Sequence, residues 1–164
     1  MNNEELRNMY ANLLASSMNK TVKNHVHPSF VEIIKQLSPD EAKILQRIYR
    51  DKVLPTVSVV WSQSPGIGIV FKLKNFSNVG EDVNCDYPFN IQQYFDNLIR
   101  LGLCESPPSY SLTDKTRYND LKSHYLVQSE LRIPEGFNYQ SSIHESLIRL
   151  TSFGKVFCEI CLDS

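Results

Sequence analysis

LSPDEAKILQRIYR, residues 37–50, carries the most completely specified helix in the chain. Ser38 is placed to cap the first turn with its hydroxyl, Pro39 suits the first helical position, and Glu41 stands three residues after the cap, as a capping box requires. Past that start, Ala42, Leu45 and Tyr49 fall on one stripe with Ile44 and Ile48 beside them. Lys43, Gln46, Arg47 and Arg50 turn the other way, so one face is committed to a core and the other is basic.

On the N-terminal side, Glu4 to Met18 reads as a helix whose apolar residues Leu6, Met9, Tyr10, Leu13 and Leu14 cover more than one stripe, which predicts two packing partners. Its start so close to residue 1 leads us to expect a fragment of a longer protein. Asn19 to His27 is a polar connector, and Pro28 to Leu37 reads as a second helix with Phe30, Ile33 and Ile34 inward. A sharp corner at Leu37-Ser38 then separates it from the helix that follows.

On the C-terminal side, Thr56 to Trp61 and Ile67 to Leu73 are β-branched and aromatic runs flanking Ser62 to Gly66, a hairpin pattern. Lys74 to Tyr87 reads as a long polar loop and the first candidate for disorder. Asn90 is placed to cap a helix running to Leu101, with Ile91, Tyr94, Phe95 and Leu98 buried and Gly102 ending it. Leu103 to Glu105 and Ser142 to Leu150 read as strands, Thr113 to Arg132 as a weakly patterned helix, and Thr151 as the cap of a last helix from Ser152 to Leu162.

The expected fold class is α+β, mainly helical, with a winged-helix-like body over residues 38–164, a β-hairpin insertion, and additional N-terminal helices over residues 1–37, all in one domain. Asn90 to Leu101 is the recognition helix in that reading. YANLLASSM at Tyr10 to Met18, HPSFVEIIKQLSPDEAKIL at His27 to Leu45, and LTSFGKVFCEIC at Leu150 to Cys161 resemble the abortive infection alpha family. The resemblance implies a bacterial or prophage setting, a link by family name to phage defence, and an additional N-terminal region that members usually carry and that we expect to be missing from this chain. It brings no catalytic residues with it.

Composition narrows the classes. The 164 residues are 41% hydrophobic and 21% charged, and 17 Lys plus Arg against 18 Asp plus Glu give a formal net charge of -1. No global field therefore draws the chain to nucleic acid or an anionic membrane. The longest apolar runs are far short of the roughly 20 residues that cross a bilayer. With no export signal, the four cysteines read as reduced thiols and the expected location is cytoplasmic.

Each chemical constellation weighs less than its structural alternative. Cys158 and Cys161 have CxxC spacing but lie late in a helix, where the dipole disfavours a thiolate, and Cys161 shares the core stripe. Cys85, Cys104, His25 and His27 supply no second ligand pair for zinc. His27 beside Pro28 reads as a helix-entry residue. His144 and Glu145 are neighbours in a strand and face opposite ways, and Pro65-Gly66-Ile67-Gly68 leads into a strand rather than a helix, so it cradles no phosphate. No cofactor or metal is expected.

The expected function is a non-enzymatic protein-interaction or regulatory domain of a phage-defence protein, with a protein partner or a homodimer. The alternative is a winged-helix nucleic-acid-binding protein. Candidate contacts for either are Gln92, Gln93, Asn97 and Arg100 on the recognition helix, whose amides could read base edges, and Lys43, Arg47 and Arg50 on the opening helix, which carry the positive charge. An enzyme built on His144, Glu145 or Cys158 is the third possibility.

Overall fold

A computed structural model of the protein describes residues 4–63 and 67–162. Chain order runs α1 (Glu4–Met18), α2 (Phe30–Lys35), α3 (Pro39–Asp51), β1 (Val53–Gln63), β2 (Ile67–Phe76), α4 (Val79–Asp82), α5 (Ile91–Arg100), β3 (Cys104–Glu105), α6 (Asn119–Ser123), α7 (Tyr125–Leu131), β4 (Gln140–Leu150) and α8 (Ser152–Cys161). Short 3-10 turns stand at Lys23–His25, Pro88–Asn90 and Lys115–Tyr118. The fold is α+β, and its antiparallel sheet has the strand order β2-β1-β4-β3. Contacts divide the chain into two units, one from residues 1–53, 79–105 and 149–164, the other from residues 54–78 and 106–148.

In the first unit the capping box forms as expected. Ser38 Oγ accepts from the Glu41 N–H at 3.2 Å, and Glu41 Oε2 accepts from the Ser38 N–H at 2.7 Å. The helix so started buries Ala42, Ile44, Leu45 and Ile48. It ends at Lys52, whose N–H still donates to the Ile48 carbonyl at 2.8 Å and whose φ of 71° then turns the chain out of the helix. Phe30 of α2 meets Phe157 of α8 edge-on, with centroids 5.2 Å apart. α1 packs on α2, α3 and α8, burying Met9 and Leu13. It also closes the end of α8: Asn12 Nδ2 donates to the Cys161 carbonyl at 3.1 Å and Ser16 Oγ to the Ile160 carbonyl at 3.3 Å, carbonyls that have no partner inside their own helix.

α8 begins where the sequence places it, with Thr151 Oγ1 accepting from the Gly154 N–H at 2.9 Å. The Thr151 N–H in turn donates to the Leu103 carbonyl at 3.0 Å, which draws the first turn of α8 onto the backbone ahead of β3. A Cβ at Gly154 would lie 1.9 Å from the Leu103 oxygen, so only glycine fits this crossing. β3 and the end of β4 pair antiparallel through Cys104 with Leu150 and Glu105 with Arg149.

In the second unit β1 and β2 pair antiparallel from Val57–Phe76 to Gln63–Ile67, with register shifts after Val57, Val59 and Ser62. The turn expected at residues 64–66 lies outside the described residues. Trp61 is buried as its strand pattern implies, and its indole Nε1 donates to the Glu130 carbonyl at 2.7 Å.

Three expectations are corrected. Residues 74–87 are not an extended polar loop: β2 runs on to Phe76, Val79–Asp82 is helical, and Val79 and Gly80 are buried. Asn90 makes no side-chain cap, because the 3-10 turn at Pro88–Asn90 leads straight into α5. Residues 113–132 hold two short helices and a 3-10 turn instead of one helix, divided at His124, whose backbone is extended.

Candidate functional site

The outward face of α3 lines an open cavity of about 800 Å³ in the first unit. Lys43, Arg47, Arg50 and Lys52 supply its positive charge, and Glu5 and Asp82 also line it. Helical periodicity explains the grouping, since residues 43, 47 and 50 are spaced i, i+4, i+7 and must share a face. The Nε donors of Arg47 and Arg50 both bond Asp51, Arg50 at 3.0 Å. Burial alone would raise the Asp51 carboxyl, but those two guanidinium groups outweigh it and hold its pKa below the ordinary carboxylate value. Lys43 Nζ donates to the Asn84 carbonyl at 3.1 Å, and Lys52 Nζ sits over the Tyr49 ring, 4.8 Å from its centroid.

The first turn of α3 holds the segment that follows Asp82 and Val83 of the cavity wall. Asp40 is 3% exposed, yet it receives the Asp86 N–H at 2.9 Å, the Tyr87 N–H at 3.0 Å and the Tyr94 hydroxyl at 2.8 Å. Burial pushes its pKa up, but these bonds and the charge of Lys43 pull harder, and the carboxyl lies below its ordinary value. One carboxylate thus ties the segment after α4 and the middle of α5 to α3. Tyr94 is shifted the opposite way, raised by burial and by the bond it donates to Asp40. Cys85 lies on the same segment, its thiol pushed up to about 12 by burial and the Asp40 charge.

The two candidate groups therefore fare differently. Lys43, Arg47 and Arg50 meet in one cavity, joined by Lys52. On α5, Gln92 and Gln93 are exposed, whereas Asn97 Nδ2 donates to the Gln36 carbonyl at 3.0 Å and to Glu41 Oε1 at 2.9 Å. Arg100 Nη2 reaches Gln36 Oε1 at 3.1 Å and Asn97 Oδ1 at 2.7 Å. Half of the α5 set is thus turned onto the chain's own α2 and α3. Sequence reasoning passed over Asp51, although the Arg47-to-Asp51 spacing of i, i+4 is the signal that would have found the shared carboxylate.

Among the described residues, none of the remaining candidates lines this cavity. Cys104, Cys158 and Cys161 are buried, and burial pushes the thiols of Cys104 and Cys161 to about 12 and that of Cys158 higher still. His27 Nδ1 lies 2.7 Å from Ser29 Oγ and the ring packs on Phe30 and Phe153, the helix-entry role. Glu145 is flanked by Lys115 at 3.7 Å and Lys122 at 3.5 Å, while His144 is exposed. Among the described residues no cluster of three or more His, Cys, Asp or Glu could hold a metal ion, and no helix is long and apolar enough to cross a membrane. α1 also leaves Tyr10, Leu14 and Met18 exposed, one turn apart, with Leu14 at 64% and Met18 at 77%.

Three comparisons with known proteins bear on this site. No functionally curated protein matches the sequence. A solved structure of an uncharacterized protein from the hydrocarbon-degrading marine bacterium Alcanivorax borkumensis SK2 is similar, with 19% identity, a TM-score of 0.53, and coverage of 80% of this chain and 90% of that one. At that identity the likeness speaks to the fold alone. Residues 1–161 match the model of a family described as abortive infection alpha.

Proposed function

The chain belongs to the abortive infection alpha family, and on that premise we propose that it is a non-enzymatic regulatory domain of a phage-defence protein, acting by binding an anionic partner in the α3 cavity. The observation that carries this reading is the convergence of Lys43, Arg47, Arg50 and Lys52 on one cavity wall in a chain whose formal net charge is -1. Positive charge collected against the average of the surface raises the local concentration of an anion. In a bacterial host that produces the protein, phage plaque counts are expected to fall. The variant R47Q/R50Q, at equal abundance and with an unchanged melting temperature, is expected to lose that protection; undiminished protection would overturn the reading.

The interaction role extends to α1. Tyr10, Leu14 and Met18 are symmetric about Leu14, so an antiparallel second copy would set Leu14 on Leu14 and each Tyr10 ring against the partner's Met18 sulfur. Three side chains a side are small beside the roughly 1,200 Å² of a stable interface, so the pairing is weak. Light scattering is expected to show mass rising toward a dimer at high micromolar concentration, and Leu14→Glu to hold the protein monomeric. A wild-type mass that stays monomeric throughout removes this extension.

A further inference from the structure

Arg47 and Arg50 share one carboxylate and are held by it rather than neutralised. Each donates through Nε to Asp51, and among the described residues their Nη groups have no hydrogen-bond partner. A guanidinium carries five N–H donors in a rigid fork, so fixing Nε orients the remaining donors without satisfying them. Lys43 and Lys52 bring two further cations to the same cavity, and neither forms an ion pair among the described residues.

The ligand must therefore offer what Asp51 does not. A second carboxylate would present two oxygens and one charge, the niche that Asp51 already fills from within the chain. Phosphate oxygens present more acceptors and more charge in the geometry that paired guanidiniums match. The carboxyl end of α3 disfavours an anion, but that field fades within one turn, whereas several charge-assisted bonds form at contact. A volume of about 800 Å³ is that of a small-molecule site rather than of a surface that tracks a polynucleotide.

We infer that the α3 cavity binds a linear di- or triphosphate, carried by a nucleoside or as free polyphosphate. This rests on the reading of the cavity as the binding site and names the ligand. The test is calorimetric titration of the protein, at low salt, with sodium tripolyphosphate, with adenosine triphosphate and with a short DNA duplex. Tripolyphosphate and the nucleotide are expected to bind saturably, to weaken at least about tenfold in R47Q/R50Q, and to tighten in Asp51→Asn, which keeps an acceptor oxygen for the Nε donors but removes one negative charge beside the ligand. The control K20Q/K23Q, which removes two charges outside the cavity lining, is expected to bind as the wild type does. No binding at millimolar tripolyphosphate, unchanged binding in R47Q/R50Q, or binding of the duplex alone overturns the inference. If tripolyphosphate fails to bind while phage protection still needs the arginine pair, the phosphate assignment falls and the cavity's role stands; if protection survives the arginine changes while they abolish tripolyphosphate binding, the role falls and the ligand stands.

Discussion

Replacing Gly154 by alanine lowers the melting temperature by about 10 °C or prevents folding outright, an expected loss of more than about 3 kcal/mol. The sign is informative because helix propensity predicts the reverse: glycine inside a helix costs about 1 kcal/mol relative to alanine. At this position the added carbon would meet the Leu103 carbonyl oxygen at 1.9 Å and its carbon at 2.8 Å, and both are backbone atoms that no rotamer change can move. Relief requires the start of α8 to lift away, which breaks the bond from the Thr151 N–H to the Leu103 carbonyl and disturbs the rung between Cys104 and Leu150. Circular dichroism with thermal melting decides the matter. An unchanged or raised melting temperature would mean that α8 yields freely and that the crossing is not tight.

Asp40→Ala is the second large effect, with an expected loss of about 3 kcal/mol, since bonds to a charged acceptor are each worth about 1.5–3 kcal/mol and are not additive. The buried Tyr94 hydroxyl and the Asp86 and Tyr87 N–H groups lose their shared acceptor together. Asp40→Asn keeps the shape and part of the bonding, and its loss is expected to be smaller. The pH dependence separates charge from shape. The folded carboxyl sits below its ordinary value, so its contribution is fully present above the unfolded pKa of about 3.9 and is lost as pH falls through the lower folded value. Urea denaturation should therefore give a constant stability gap between wild type and Asp40→Asn from about pH 5 to neutrality, narrowing below about pH 4. A gap that persists unchanged into strong acid would show that the charge contributes nothing.

These two residues also mark where the sequence could and could not be read. The capping box at Ser38 and Glu41, the β1–β2 pairing and the Thr151 cap were legible because each is a local pattern whose partners lie within a few residues or across one turn. By its position Asp40 is one more acidic residue in the first turn of a helix, with no local pattern to single it out. Its ligands are the N–H groups of residues 86 and 87, which sequence separation hides, and for the same reason residues 74–87 read as a loop on their polar composition although one carboxylate pins their end. The basic face of α3 was legible as a stripe at i, i+4, i+7. That the stripe lines a cavity was not, because Glu5 and Asp82 belong to helices far away in the chain. Asn97 misled in the opposite direction: its position on α5 allowed an outward amide, and only the packed structure turns that amide to Glu41.

The bonds from α1 to the last carbonyls of α8 carry a consequence for synthesis. Asn12 and Cys161 are 149 residues apart, so at roughly 5–20 residues per second a ribosome completes α8 some 7–30 s after it has made α1. Through that interval α1 has α2 and α3 to pack on but lacks α8, the third helix it contacts. Closure of the carboxyl end of α8 by Asn12 and Ser16 is thereby a late event in the assembly of the first unit, whatever α1 has packed on before it.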